Sequence, residues 1–231
     1  AEHHFLFGFY YRQIGKTDKA IESYKTALDK RPIFSRAQRD LVQAYLSIED
    51  YENAHKLAKE NYENDKKNNP FHIHAYFTCL LRTNEIEDNS KTLRNLLKDL
   101  EMNKHEHAQS FFYRCKAQYL ALIENNEEQA MKIIDEAIDK VKTNVSSEIR
   151  FLVDKFYICA KFQNIPGMES VLREYKTKVD TSQINNYNTL LKFEIMIHAQ
   201  KNELSSIPPL IDKLKSYPDN IKEKLKYKYC S

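Results

Sequence analysis

The sequence predicts an all-α protein whose helices pair into hairpins and stack as an α-solenoid. Three observations carry that expectation. Tyr11 and Tyr45 lie 34 residues apart, and so do Ala20 and Ala54; a fixed period in this range marks stacked repeats of one supersecondary unit. The 231 residues include 3 Gly and 6 Pro, which leaves little turn or strand punctuation. Apolar residues recur at helical spacing, as at Leu93, Leu96, Leu97 and Leu100, and no strand-type alternation competes with them. A hydrophobic share of 42% beside 30% charged residues fits a folded chain rather than a disordered one. The length suits an array, because each repeat of a solenoid touches only its neighbours.

The expected units are 1–34, 35–68, 69–104, 105–145, 146–181 and 182–217, with a terminal helix at 219–230. In the first, one helix carries Phe7, Gly8 and Tyr11, and the next carries Ala20, Tyr24 and Ala27. Gly8 and Ala20 are small, as a close helix crossing requires. Gly15 sits where the first helix must turn, a place for positive φ. Pro32 cannot continue a helix and biases Arg31 away from helical angles. The second unit keeps Leu41, Tyr45, Ala54 and Ala58, with Glu49-Asp50 as its turn. The third pairs a helix over 71–82, containing Cys79, with one over 89–101. The fourth pairs 105–124 with a helix marked by Ala130, Ile134 and Ala137, across Asn125-Asn126. Ala130 follows Ala54 by 76 residues, so about eight extra residues are expected in the third unit. In the fifth, 147–162 is a helix, Asn164 to Gly167 a turn with Pro166 in a helix first turn, and 168–179 its partner. In the sixth, 182–200 is followed by a capped start at Ser205-Ser206-Ile207-Pro208-Pro209. Pro218 closes that unit.

His4-x2-Phe7-Gly8-x2-Tyr11, then Ala20-x3-Tyr24, then Pro32, resembles the tetratricopeptide (TPR) repeat pattern, with His4 in place of its Trp. The resemblance is specific over 1–68, moderate over 105–140, and elsewhere a matter of hairpin rhythm. It implies a right-handed solenoid of about six hairpins plus a terminal helix. It also implies a scaffold for protein–protein interaction whose concave groove is lined by the first helix of each hairpin. On that basis the expected partner-binding residues are Phe5, Phe9 and Arg12; Arg36, Arg39, Asp40 and Gln43; Ile73, His74 and Phe77; Lys116 and Tyr119; and Arg150, Asp154 and Tyr157. Aromatic rings and Arg together suit a peptide with apolar anchors and acidic groups. The Lys–Asn clamp that chaperone-binding TPR proteins use for a terminal carboxylate is not visible.

Composition narrows the function classes. Thirty-six basic against 33 acidic residues give a net charge of +3, and a dedicated nucleic-acid binder would show a basic face instead. The lysines at 213, 215, 222, 224, 226 and 228 read as a solvated helix face. The expected reader positions of a base-reading repeat do not recur, so an RNA-binding array is disfavoured. Cys79, Cys115 and Cys159 fall inside apolar helical stretches, Cys230 lies in the tail, and no CxxC pair occurs, which points to reduced cysteines and a cytoplasmic protein. No run of 18 apolar residues or signal peptide is visible. His72-x-His74 and His105-x-His107 are i,i+2 pairs that a helix points apart, so no metal site is expected. No GxSxG, HExxH or Gly-rich phosphate loop occurs.

No catalytic residue, cofactor or small-molecule substrate is therefore expected. The expected partner is a protein or peptide, without membrane contact, and homo-oligomers through the array ends are an alternative, as is a peptide-sensing regulatory domain. The chain begins in mid-pattern without Met, as a piece of a larger multidomain protein, a sensor or adaptor arm, would.

Overall fold

In the computed structural model, which describes residues 1–65, 68–82, 89–141, 144–181 and 184–215, the chain is all-α: the described residues hold twelve α-helices, one short 3₁₀ turn and no strand. The helices are α1 (Glu2–Gln13), α2 (Thr17–Lys30), α3 (Ser35–Ser47), α4 (Tyr51–Asn64), α5 (Pro70–Leu80), α6 (Ser90–Met102), α7 (Ala108–Leu122), α8 (Glu127–Val141), α9 (Val145–Lys161), α10 (Ile165–Lys178), α11 (Ile184–Gln200) and α12 (Ile207–Lys215). None is long and apolar enough to cross a membrane. The described residues divide into two compact units, one over residues 1–112 and one over 113–215, with the division inside α7. The terminal helix expected at 219–230 lies outside the described residues.

In the first unit α1 packs on α2, α2 on α3, α3 on α4, α4 on α5 and α5 on α6. The first helices also meet directly, α1 against α3 and α3 against α5. Gly8 shows why the α1–α2 crossing needs small residues. A Cβ there would stand 2.6 Å from the Tyr24 ring, and that ring is fully buried with Ala20 and Ala27 on either side of it in α2. Phe5 fills the space beside it, 6.0 Å from Tyr24 and 5.1 Å from Phe34. Ala54 and Ala58 repeat the small-residue face in α4. Leu93, Leu96, Leu97 and Leu100 form the buried stripe of α6, and the Tyr62 hydroxyl donates to Asp99 at 2.6 Å, tying α4 to α6.

In the second unit Ala117, Leu120 and Ala121 of α7 join Ala130, Ile134, Ala137 and Ile138 of α8 in one core with residues of α9, α10 and α11. Phe156 and Phe193 stack with centroids 3.6 Å apart, and Tyr175 meets Phe193 at 5.4 Å. Fully burying each such ring contributes about 1.5–3 kcal/mol.

The hairpin turns share one backbone geometry. Gly15, Glu49, Asn125, Gln163 and Asn202 have φ between 49° and 74°. At four of them the left-handed residue and its successor close the helix with two backbone bonds. Gly15 N–H donates to Arg12 O at 3.2 Å and Lys16 N–H to Tyr11 O at 2.9 Å; the same pair recurs from Glu49-Asp50, Gln163-Asn164 and Asn202-Glu203. These bonds satisfy carbonyls that a helix end would otherwise leave open. Where the next residue is Asp50, Asn126 or Asn164, its side chain caps the second helix, accepting from the N–H of Asn53, Gln129 or Gly167.

The turn residues fall at intervals of 34, 76, 38 and 39. The extra length beyond 34 is thus not confined to the third unit. It continues through the later hairpins and sits in their first helices: α1 and α3 have 12 and 13 residues, α9 and α11 have 17 each. Three boundaries differ from expectation for local reasons. Residues 105–107 form a bend and turn ahead of α7. Pro166 and Gly167 lie inside α10, because Asn164 already caps it. A 3₁₀ turn over Leu204–Ser206 precedes α12, whose start is Ile207.

Candidate functional site

Counting back from each left-handed turn residue puts the first helices in a common register. Nine residues before the turn stand Asp40 in α3, Asp154 in α9 and Phe193 in α11. Each makes a contact with the preceding first helix of its unit: Asp40 with Arg12, Asp154 with Arg114, Phe193 with Phe156. The positions thirteen and six before the turn lie elsewhere on the helix. They include Arg36 and Arg150, both exposed, and Phe9, Gln43 and Tyr157, which are half-buried or exposed, whereas Tyr119, six before Asn125, is buried.

In the first unit these helices assemble a continuous chain of cations and rings. The Asp40 carboxylate, buried, accepts from Arg39 Nε at 3.0 Å, and its other oxygen lies 4.0 Å from Arg12 Nη2. The Arg12 guanidinium sits over Phe9, 5.5 Å from the centroid. The Arg39 guanidinium sits over Phe71 of α5 at 5.4 Å. Phe71 meets Phe111 edge-on at 5.1 Å, and His74 lies 4.6 Å from Phe111. His105 and His107 close the end, 6.0 and 5.4 Å from Phe71. Arg guanidinium over an aromatic face is held in place while its outer edge stays in water. With Arg12, Arg36 and Arg39 against Asp40, the four residues carry 3 − 1 = +2.

Of the expected partner-binding residues, then, Phe9, Arg12, Arg39 and His74 meet in one cluster, and Arg36 and Gln43 share its helix α3. Phe5, Ile73, Phe77 and Tyr119 do not fit a ligand-facing role: all four are buried. Phe5 is covered because Tyr24 and Phe34 reach it, and Ile73 and Phe77 because nearly every face of α5 is enclosed. Asp40 and Asp154 are buried as well and hold arginines instead of facing outward. In the second unit, Lys116 sits over the Tyr119 ring at 6.0 Å, Arg150 is exposed, and Tyr157 is 46% exposed beside Phe156 and Phe193.

Sequence reasoning missed Phe71, Phe111, His105 and His107 as members of the cluster. The i,i+3 spacing of Phe71 and His74 was the available signal, since it puts both on one helix face. No group of three or more metal-ligating side chains occurs among the described residues. Burial pushes the thiols of Cys79 and Cys159 up to about 12 and about 11, and that of Cys115 higher still.

No family model, no curated protein and no solved structure matches this chain.

Proposed function

We propose that the chain is a non-catalytic interaction module, a right-handed TPR-like α-solenoid that binds a protein or peptide along the open face of its first helices. The peptide it fits carries acidic groups beside aromatic or aliphatic anchors. The observation that carries this reading is the cluster on α1, α3 and α5, where one carboxylate is shared by two stacked guanidiniums and the surplus charge faces water. Arginine and aromatic side chains are the residue types that dominate binding energy at interfaces, and a cationic surface speeds capture of an acidic partner. The recurring turn geometry, the first-helix register and the Gly8–Tyr24 crossing support the solenoid part. The buried, protonated thiols support the non-catalytic part, since only a thiolate is a competent nucleophile.

Panning a random peptide display library on the protein tests the reading. Enriched peptides should pair Asp or Glu with an aromatic residue, bind more weakly as salt is raised, and be lost in Arg36→Glu with Arg39→Glu at unchanged helicity. Enrichment of basic peptides, or binding indifferent to the two charge reversals, moves the site off this face. Steeply salt-dependent RNA binding by the same protein would favour a nucleic-acid partner instead.

A further inference from the structure

Tyr24 fills the α1–α2 crossing with its ring, yet its fully buried hydroxyl has no hydrogen-bond partner. A buried donor without an acceptor is costly, so the groups around it matter. Burial is the largest influence on this hydroxyl and holds it protonated; the charged groups it feels are Arg12, Asp40 and Arg39. These three form the centre of the cationic cluster. One side chain of α2 therefore props the helix crossing with its ring and carries an unpaired donor toward the arginine pair.

The two arginines are only partly engaged by Asp40. Arg39 donates from its Nε to Oδ1 at 3.0 Å, and among the described residues neither of its Nη groups has an acceptor. Arg12 Nη2 stands 4.0 Å from Oδ2, past hydrogen-bond reach, and its guanidinium donates to nothing among the described residues. A ring supports each one, Phe9 under Arg12 and Phe71 under Arg39. Because they approach the two oxygens of one carboxylate, their unpaired edges adjoin.

Two adjoining guanidinium forks match the several oxygens of a phosphate better than the two of a carboxylate. A phosphate monoester carries about −1.5 to −2 charges at pH 7, which balances the +2 left by Arg12, Arg36 and Arg39 against Asp40. At 30% and 35% exposed, Arg12 and Arg39 are recessed between rings. A phosphate reaches them best on a long, rigid arm, and an aromatic arm finds aromatic surface on the way in.

We propose that the acidic group this face captures is the phosphate of a phosphotyrosine, held by Arg12 and Arg39 with its ring against Phe71. The inference rests on the peptide-binding reading and specifies the acidic group within it. As the guanidiniums turn to the phosphate, Asp40 loses its bond from Arg39, and the Tyr24 hydroxyl becomes its donor. The unpaired hydroxyl lets a buried acid release its cation without being stranded.

Fluorescence anisotropy reads the preference, using a labelled degenerate peptide pool built around one fixed phosphotyrosine and its tyrosine and phosphoserine counterparts. The phosphotyrosine pool should bind about tenfold or more tighter than either counterpart, and phenyl phosphate should displace it at lower concentration than inorganic phosphate. Arg12→Gln and Arg39→Gln should each remove most of that preference at unchanged circular dichroism, and having both guards against one failing to fold. Tyr24→Phe should weaken phosphotyrosine binding about threefold without lowering the melting temperature, because the hydroxyl makes no bond in the free protein. A purely structural tyrosine would shift the melting temperature and leave the preference alone. Equal binding of the three pools overturns the proposal. So does a preference that both arginine variants retain, or phenyl phosphate that competes no better than inorganic phosphate. If unphosphorylated acidic peptides bind and phosphotyrosine adds nothing, this inference falls alone; if no peptide binds, the peptide-binding reading falls with it.

Discussion

Asp40 and Asp154 occupy the same register position in the two units and are buried to the same degree, yet they are used differently. Asp154 takes two bonds from one guanidinium: Arg114 Nε donates to Oδ2, and Nη2 to Oδ1 at 3.2 Å, with Gln118 donating to Oδ1 at 3.2 Å. Arg114 is itself largely buried, 19% exposed. This is a closed, bidentate pair that locks α7 to α9 and leaves no charge over. Asp40 is shared between Arg12 and Arg39, 30% and 35% exposed, which both continue outward over aromatic rings. One acid closes a structural joint; the other anchors a surface that retains positive charge. A buried carboxylate at a repeat position therefore says little by itself. The number of cations around it and their access to water decide its use.

The sharpest way to break this comparison is to remove the two acids separately. Asp154→Ala strands a buried guanidinium and should cost about 3–5 kcal/mol, read as a lowered urea midpoint. Asp40→Ala frees two arginines that can rehydrate, so its cost should be nearer about 1 kcal/mol, while its effect on peptide binding should exceed that of Asp154→Ala. Equal stability losses would mean that burial of the acid, not access of its partner to water, sets the energy.

Next in size, Gly8→Ala drives a methyl into the buried Tyr24 ring and should destabilise the first unit by about 1–3 kcal/mol, with Ala20→Leu and Ala54→Leu in the same range. An unchanged melting temperature in all three would show that the α1–α2 and α3–α4 crossings are looser than their packing indicates.

Smaller and of opposite sign, Glu49→Gly and Gln163→Gly relieve left-handed backbone at φ 61° and 55°. Each should stabilise its unit by about 0.5–1 kcal/mol, whereas Asn125→Gly should gain less because Asn tolerates that conformation. Destabilisation by either glycine would argue that the side chain itself is needed at the turn.

The smallest expected signal is chemical. Cys79, Cys115 and Cys159 are buried and their thiols are raised by that burial. At pH 8 they lie far below their ionisation and should resist a thiolate-selective reagent in the native state. They should react once urea restores the ordinary cysteine value. Prompt native labelling of any of the three would contradict the packing around it.

The first two hairpins were legible because their sequence carries the physical markers directly. Gly15 declares its left-handed turn, and Ala20 and Ala54 their close crossings. Asn164 and Pro166 likewise declare the start of α10, though its first turn was placed too late. Glu49 and Gln163 declare nothing comparable, because neither Glu nor Gln favours positive φ; the packing of the flanking helices imposes it. Arg36 and Arg39 could be read as a surface pair from α3 alone. Phe71, Phe111, His105 and His107 could not be read as one cluster, because α5 and the start of α7 come together only through the fold. Phe5 and Phe77 were read outward for the same reason: helical spacing gives a residue's direction about its own axis, not what stands there.

The sequence by itself determined the all-α class, the hairpin rhythm, the small-residue crossings and the cationic and aromatic content of the first helices, since these follow from local propensity and from periodicities within one helix. Only the tertiary structure decided which acid is sealed and which is shared, and which rings are core and which line a surface. Those outcomes depend on contacts between helices distant in sequence, and no local pattern encodes the identity of the neighbour.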